Sequence, residues 1–223
     1  MPVDVTSGDS LKVEESRKTL YEHIKSGGFV MIPILAIAGI ALILIIWKFF
    51  SLRNLSVDLS IFIEPILEKL RDGNIHGAEL VTLELPQTLR PILAEGIEHR
   101  NAPKENIEEI IHERVLACIP VLEHHLGTLA VLGGVAPLLG LLGTVTGMIH
   151  TFQLVTIFGT GDAKLLSSGI SEALVTTEFG LAIAIPVLLA HAFLSRRVRT
   201  IIGNLERAMI SFVNRLTLQS ASK

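Results

Sequence analysis

The chain has 223 residues, 49% of them hydrophobic and 18% charged, with a net charge of −3. Soluble domains carry about 25% charged residues, so the composition points away from an ordinary cytosolic enzyme. Nineteen Lys+Arg against 22 Asp+Glu leave no basic excess for nucleic acid. The single cysteine, Cys118, excludes an internal disulfide and a Cys-rich zinc site. With a mean hydropathy of +0.55, the expectation is an all-α membrane protein.

The first element, 1–27, is a polar tail of five acids and four bases. A span over 28–50 follows, built on the 19 uncharged residues from Phe29 to Trp47. At 1.5 Å per residue that run crosses a hydrocarbon core of about 30 Å. It exceeds the apolar stretch of a signal peptide and lacks a compact basic head, so an uncleaved span is expected.

Residues 51–125 read as a soluble helical segment. An amphipathic helix is expected over 55–73, broken at Pro65, with Ile61, Ile66, Leu67 and Leu70 as apolar positions and Asp72-Gly73-Asn74 as its stop. Short helical patterns run from Ile75 to Leu85 and from Pro91 to His99. Asn101-Ala102-Pro103 starts another helix, with Glu105, Glu108 and Glu109 in the early turns favoured by the macrodipole. Only Pro120 interrupts that pattern, which predicts one long helix entering the membrane.

The second span, 126–150, contains 24 uncharged residues from Leu126 to Ile149. A short loop over 151–164 leads to a third span, 165–195, interrupted by Glu172 and Glu178 and closed by Arg196-Arg197. Val198, Ile201, Ile202, Leu205, Met209, Phe212, Val213 and Leu216 then mark one apolar face of a C-terminal helix over 196–223. The second and third spans are thus expected to extend into the cytoplasm as long helices. Lys and Arg number four before the first span, eight from Lys48 to Glu123, one between spans two and three, and six from Arg196 onward. The positive-inside rule puts the 151–164 loop outside, the N-terminus outside, and 51–125 and the C-terminus in the cytoplasm.

Glu172 is the most informative position. An acid near a helix centre costs about 2.5–3.5 kcal/mol on insertion scales, and such residues default to a functional reading. The plainer alternative is a structural carboxyl hydrogen-bonded to a neighbouring helix. Glu178 lies about 120° around the helix from Glu172 and ~9 Å along it, too far round to share one narrow site. Thr144 and Thr146 on the second span, and Thr176 and Thr177 on the third, either bond back to their own helix carbonyls or extend a polar track. Gly140/Thr144 and Gly143/Gly147 are small-xxx-small pairs, and Gly169, Ala173, Thr176, Gly180 and Ala184 form a similar stripe, which predicts close helix packing. Pro137 and Pro186 are expected to kink their spans. His124 and His125, adjacent on an expected helix, diverge too far to grip one metal. With no metal set and no assembled Ser/His/Asp, the residues make no case for an enzyme.

Two segments carry a resemblance. Pro137-Leu-Leu-Gly-Leu-Leu-Gly-Thr-Val-Thr-Gly147, followed by Gly169-Ile-Ser-Glu-Ala-Leu-Val-Thr-Thr-Glu-Phe-Gly180 and Ala184-Ile-Pro186, resembles the MotA/TolQ/ExbB proton-channel family. The resemblance implies that Glu172 belongs to the ion pathway and that Thr144 and Thr177 are pore hydroxyls. About 140° of helix separates Glu172 from Thr177, so both cannot face one straight lumen. Glu178 departs from the small or apolar residue expected there. The resemblance further implies a homopentamer around a single-span ExbD/TolR-like partner that supplies an Asp, with a TonB- or TolA-like protein taking the output. Its location would be the bacterial inner membrane, and it would need no cofactor beyond a coupling ion, H+ or alternatively Na+. Three spans and a small soluble segment favour the ExbB/TolQ branch, with a lean to ExbB, over the flagellar stator type. A passive membrane scaffold and a secondary transporter are the rival readings, the latter weakened by the absence of internal repeats.

Overall fold

The computed structural model describes residue 24 and residues 27–55, 59–159 and 163–221. The expected N-terminal tail therefore falls, Ile24 and Gly27 apart, outside the described residues. The helices are α1 (Met31–Leu55), α2 (Ser60–Arg71), α3 (Ile75–Thr82), α4 (Arg90–Glu98), α5 (Lys104–Glu123), α6 (Leu126–Phe158) and α7 (Ala163–Ala221). No strand occurs among the described residues. The chain divides into two compact units: one of residues 1–42 and 131–188, the other of residues 43–130 and 189–223.

In the first unit, α1, α6 and α7 each hold an apolar stretch long enough to cross a membrane. Met31 and Ile34 of α1 are buried with Val175 of α7, and Leu139, Phe179 and Ile183 pack around them. The opposite faces carry Ile32, Leu35, Ile40, Leu138, Leu142, Leu174, Leu181 and Ile185 in the open. An apolar surface this continuous is unstable in water and is what lipid solvates. The 151–164 segment, expected as a loop, is largely helical. Phe152, Leu154, Val155 and Ile157 prolong the apolar pattern, and α6 stops only at Gly159, whose φ is 72° and whose N–H donates to the Val155 carbonyl at 2.8 Å.

In the second unit, α2 to α5 enclose a core with the C-terminal part of α7. Ile63, Ile66 and Leu67 meet Ile92, Leu93 and Ile97, while Ile107, Ile111 and Val115 line α5 at spacings of four. Leu205, Met209, Phe212, Val213 and Leu216 complete it from α7, on the face the sequence pattern marks. Each such side chain contributes about 1.5–3 kcal/mol on burial. Ion pairs stitch the rim: Arg114 to Glu95, and Arg215 to Glu64.

The corner between α2 and α3 is set by three residues. Gly73, at φ 72°, lets the chain turn back so that its N–H reaches the Leu70 carbonyl and the Asn74 N–H reaches Lys69. Asn74 then starts α3 by accepting a hydrogen bond from the Gly77 N–H at 2.8 Å.

One expectation about prolines is overturned: Pro65 does not break α2. Pro120 stands inside α5, in keeping with a helical pattern that runs through it. Pro65 and Ile61, and likewise Pro120 and Leu116, lie on exposed faces, where water can serve the carbonyl each proline leaves without a donor. The single long helix expected to enter the membrane is instead divided at His124-His125, where His125 adopts φ 68°. The histidines are therefore not on a helix. Their rings approach to 3.8 Å between centroids, and Trp47 meets His125 edge-on at 5.1 Å. The expectation that the two rings diverge fails with the helix it assumed.

Candidate functional site

The candidate site lies in the first unit, where α6 and α7 run antiparallel with small residues facing each other. Gly140 and Gly180 mark the closest approach. A Cβ on Gly180 would stand 2.8 Å from the Ala136 carbonyl oxygen and 3.1 Å from the Gly140 Cα. Helix backbones come this near only where Cβ atoms are missing. Gly143 faces the Thr176 side chain, Gly147 faces Ala173, and Gly169 faces Thr151. Pro137 and Pro186 both stand inside continuous helices.

This proximity lets one hydroxyl cross the seam. Thr177 donates to the Gly140 carbonyl oxygen at 2.9 Å. The other threonines bond back along their own helices: Thr144 to Leu141 at 2.7 Å, Thr146 to Leu142 at 2.9 Å, Thr151 to Gly147 at 2.8 Å and Thr176 to Ala173 at 2.7 Å. Such back-bonding satisfies a hydroxyl in an apolar setting without a neighbour. Thr176 is buried in the seam, whereas Thr144 is half-buried at its margin.

Helical geometry sorts the acids. The stripe Gly169, Ala173, Thr176, Gly180 and Ala184 faces α6, and Glu172 sits about 80° to one side of it. Thr177 sits about 60° to the other side, so the structure does not bring Glu172 and Thr177 together. The half-buried Glu172 carboxylate instead lies over Gly28, just ahead of α1. A Cβ on Gly28 would overlap Oε1 at 1.7 Å, and its φ of 62° is itself one that side chains disfavour. Glu178 lies about 160° from the stripe, on an exposed face.

Gly28 is the neighbour that sequence reasoning missed; its signal was the Gly27-Gly28 pair immediately before the first apolar run. Lys48, buried in the second unit at 2% exposure, was missed as well. Among the described residues, Glu95 and Glu98 of α4 and the adjoining His99 are the ones whose ligand atoms fall within 4.8 Å of one another. Glu95 is already ion-paired with Arg114, and His99 Nδ1 lies 3.1 Å from the Glu95 carbonyl oxygen.

Apolar helices and a small-residue seam flanked by an acid define a multi-pass, all-α membrane protein. The MotA/TolQ/ExbB proton channel family matches residues 84–207, more than half of the chain. The chain belongs to that family. It is 29% identical to an ExbB homolog of Methanothermobacter thermautotrophicus, over 84% of this chain and 67% of that protein. It is also 30% identical to an ExbB-like protein of Synechocystis, over 82% of this chain and 73% of the relative. Tol-Pal system protein TolQ of Haemophilus influenzae is 39% identical over a shorter stretch, 37% of this chain and 36% of its own length.

Proposed function

We propose that the protein is the proton-channel subunit of an inner-membrane complex that uses proton-motive force to energise TonB-dependent transport across an outer membrane. In this reading five copies surround a single-span ExbD/TolR-like partner, and a TonB-like protein takes the output. The N-terminus faces the periplasm and the C-terminus the cytoplasm. The coupling ion is H+; Na+ is the alternative, since carboxylates and hydroxyls are hard ligands too.

The observation that carries the reading is the Glu172 carboxylate, half-buried on an apolar helix beside a close-packed seam. Moving one proton down the membrane potential releases about 2.3 kcal/mol per 100 mV. Protonation cancels the charge of a pore acid, so a helix can turn past an apolar surface that a bare carboxylate could not cross. Glu172 carries that proton step. Thr144 lines the passage, Thr177 fixes α7 against α6 through its bond to Gly140, and buried Thr176 fills the seam. Glu178, on the opposite face, serves as a second relay site or makes a structural hydrogen bond.

Glu172→Gln should assemble with its partner yet abolish proton-driven output, read as uptake of a TonB-dependent substrate in cells. Full uptake by a properly assembled variant would refute the assignment. The TolQ relative keeps a second reading in view, an envelope-maintenance complex. Mild-detergent purification followed by mass spectrometry separates the two by the partner that comes along. A homo-oligomer alone, from cells that express such a partner, would favour a passive scaffold.

A further inference from the structure

The second unit contains a cavity of about 650 Å³ that the channel reading does not use. Arg196, Arg197 and Arg207 line it together with Thr200, and Leu55 and Phe193 supply apolar wall. Phe193, Arg196, Thr200 and Arg207 recur at spacings of three, four and seven, so one face of α7 presents them all. Among the described residues, no Asp or Glu lines the cavity. Arg207 is also held in place, its guanidinium donating to Asn204 Oδ1 at 2.9 Å and to the Gly203 carbonyl at 3.1 Å.

Its position on the chain matters as much as its charge. The apolar run of α7 ends at Leu194, and the arginines begin two residues later. Leu55 closes the helix of the first span. Both helices therefore deliver the cavity to the boundary between hydrocarbon and water, where phospholipid headgroups lie.

We propose that this cavity binds the headgroup of an anionic phospholipid. The phosphate diester pairs with Arg196 and Arg207, charge-assisted bonds that Arg forms with a phosphate in a forked geometry. The glycerol and upper acyl chain rest on Phe193 and Leu55. A free phosphate ion meets the same charges but leaves that apolar wall uncovered, which is why the commitment is to lipid.

The test uses the full-length protein in a mild detergent, titrated with phosphatidylglycerol, phosphatidylcholine or inorganic phosphate. The readouts are the thermal unfolding midpoint and the lipid retained in native mass spectrometry. Phosphatidylglycerol should raise the midpoint saturably, and the other two should not. Removing two arginines should weaken the apparent affinity about 30-fold, at roughly fivefold per charge, so R196Q/R207Q should lose most of the response. Arg199→Gln, outside the cavity, should keep it. Should the double variant fail to fold, R196K/R207K retains the charges, and raising salt on the wild-type protein should reduce the response by screening. Equal shifts with phosphatidylcholine, an equal shift with inorganic phosphate, or a salt-independent response would each overturn the proposal. So would the absence of any response to phosphatidylglycerol.

Discussion

Substituting Gly180 by alanine places one methyl group where α6 and α7 come closest. It would lie 2.8 Å from the Ala136 carbonyl oxygen, whereas ordinary contact begins at 3.4 Å. The obstructing atoms are helix backbone, which cannot swing aside like the end of a side chain, so the helices must part by about 0.6 Å. That movement carries the Thr177–Gly140 hydrogen bond from 2.9 Å to about 3.5 Å, beyond normal bonding distance. Overpacking costs about 1–3 kcal/mol, and a lost interhelical bond in a membrane adds about 0.6 kcal/mol. Alanine's helix propensity returns up to ~1 kcal/mol, so the expected net loss is about 0.6–3.6 kcal/mol. Reversible unfolding of the full-length protein in mixed micelles, followed by circular dichroism, measures it. Gly134→Ala is the matched control, because its Cβ meets nothing within 4 Å and only the propensity gain remains. If the two variants are equally stable, the close approach of the helices is wrong.

Three further outcomes follow from the same geometry. Gly28→Ala must displace the Glu172 carboxylate and adds about 1–2 kcal/mol of backbone strain; proton flux in vesicles should fall about tenfold or more, while Gly39→Ala, with open space around it, should leave flux unchanged. Phe212→Ala empties a fully buried site against Gly96 and should destabilise the second unit by about 3–5 kcal/mol, read by thermal unfolding and limited proteolysis. Burial pushes the Cys118 thiol up, only partly offset by Arg114, and its Sγ donates to the Thr88 carbonyl at 3.2 Å. Iodoacetamide at pH about 8.5, where a free thiol is half ionised, should therefore label the native protein far more slowly than the denatured one.

The spans were legible because an uncharged run of that length has few soluble uses, and the apolar face of the C-terminal helix because its spacing holds for five turns. The division at His124-His125 was not. It rests on one residue at positive φ, with no glycine or proline to announce it, while the proline that does occur, Pro120, sits where water replaces its missing bond. Glu172 was visible as an acid in an apolar run, yet Gly28 lies just ahead of a different helix, far away in sequence, and no periodicity joins them. Thr177 was ambiguous for a related reason. Its hydroxyl had two acceptors in prospect, and only the absence of a Cβ on Gly140 exposes the one it takes.

The hydrogen bond across the α6–α7 seam bears on how the protein is made. With α6 ending at Phe158 and α7 beginning at Ala163, the two helices form a hairpin. Taken alone, the membrane span of α7 is a poor candidate for release into lipid, since Glu172 and Glu178 within it are each penalised by about 2.5–3.5 kcal/mol on the insertion scale. α6 carries no charge from Leu126 to Ile149 and offers its successor both an apolar flank and a carbonyl for Thr177. α6 is thus expected to act as an internal escort, with the hairpin rather than the single helix as the unit that leaves the translocon.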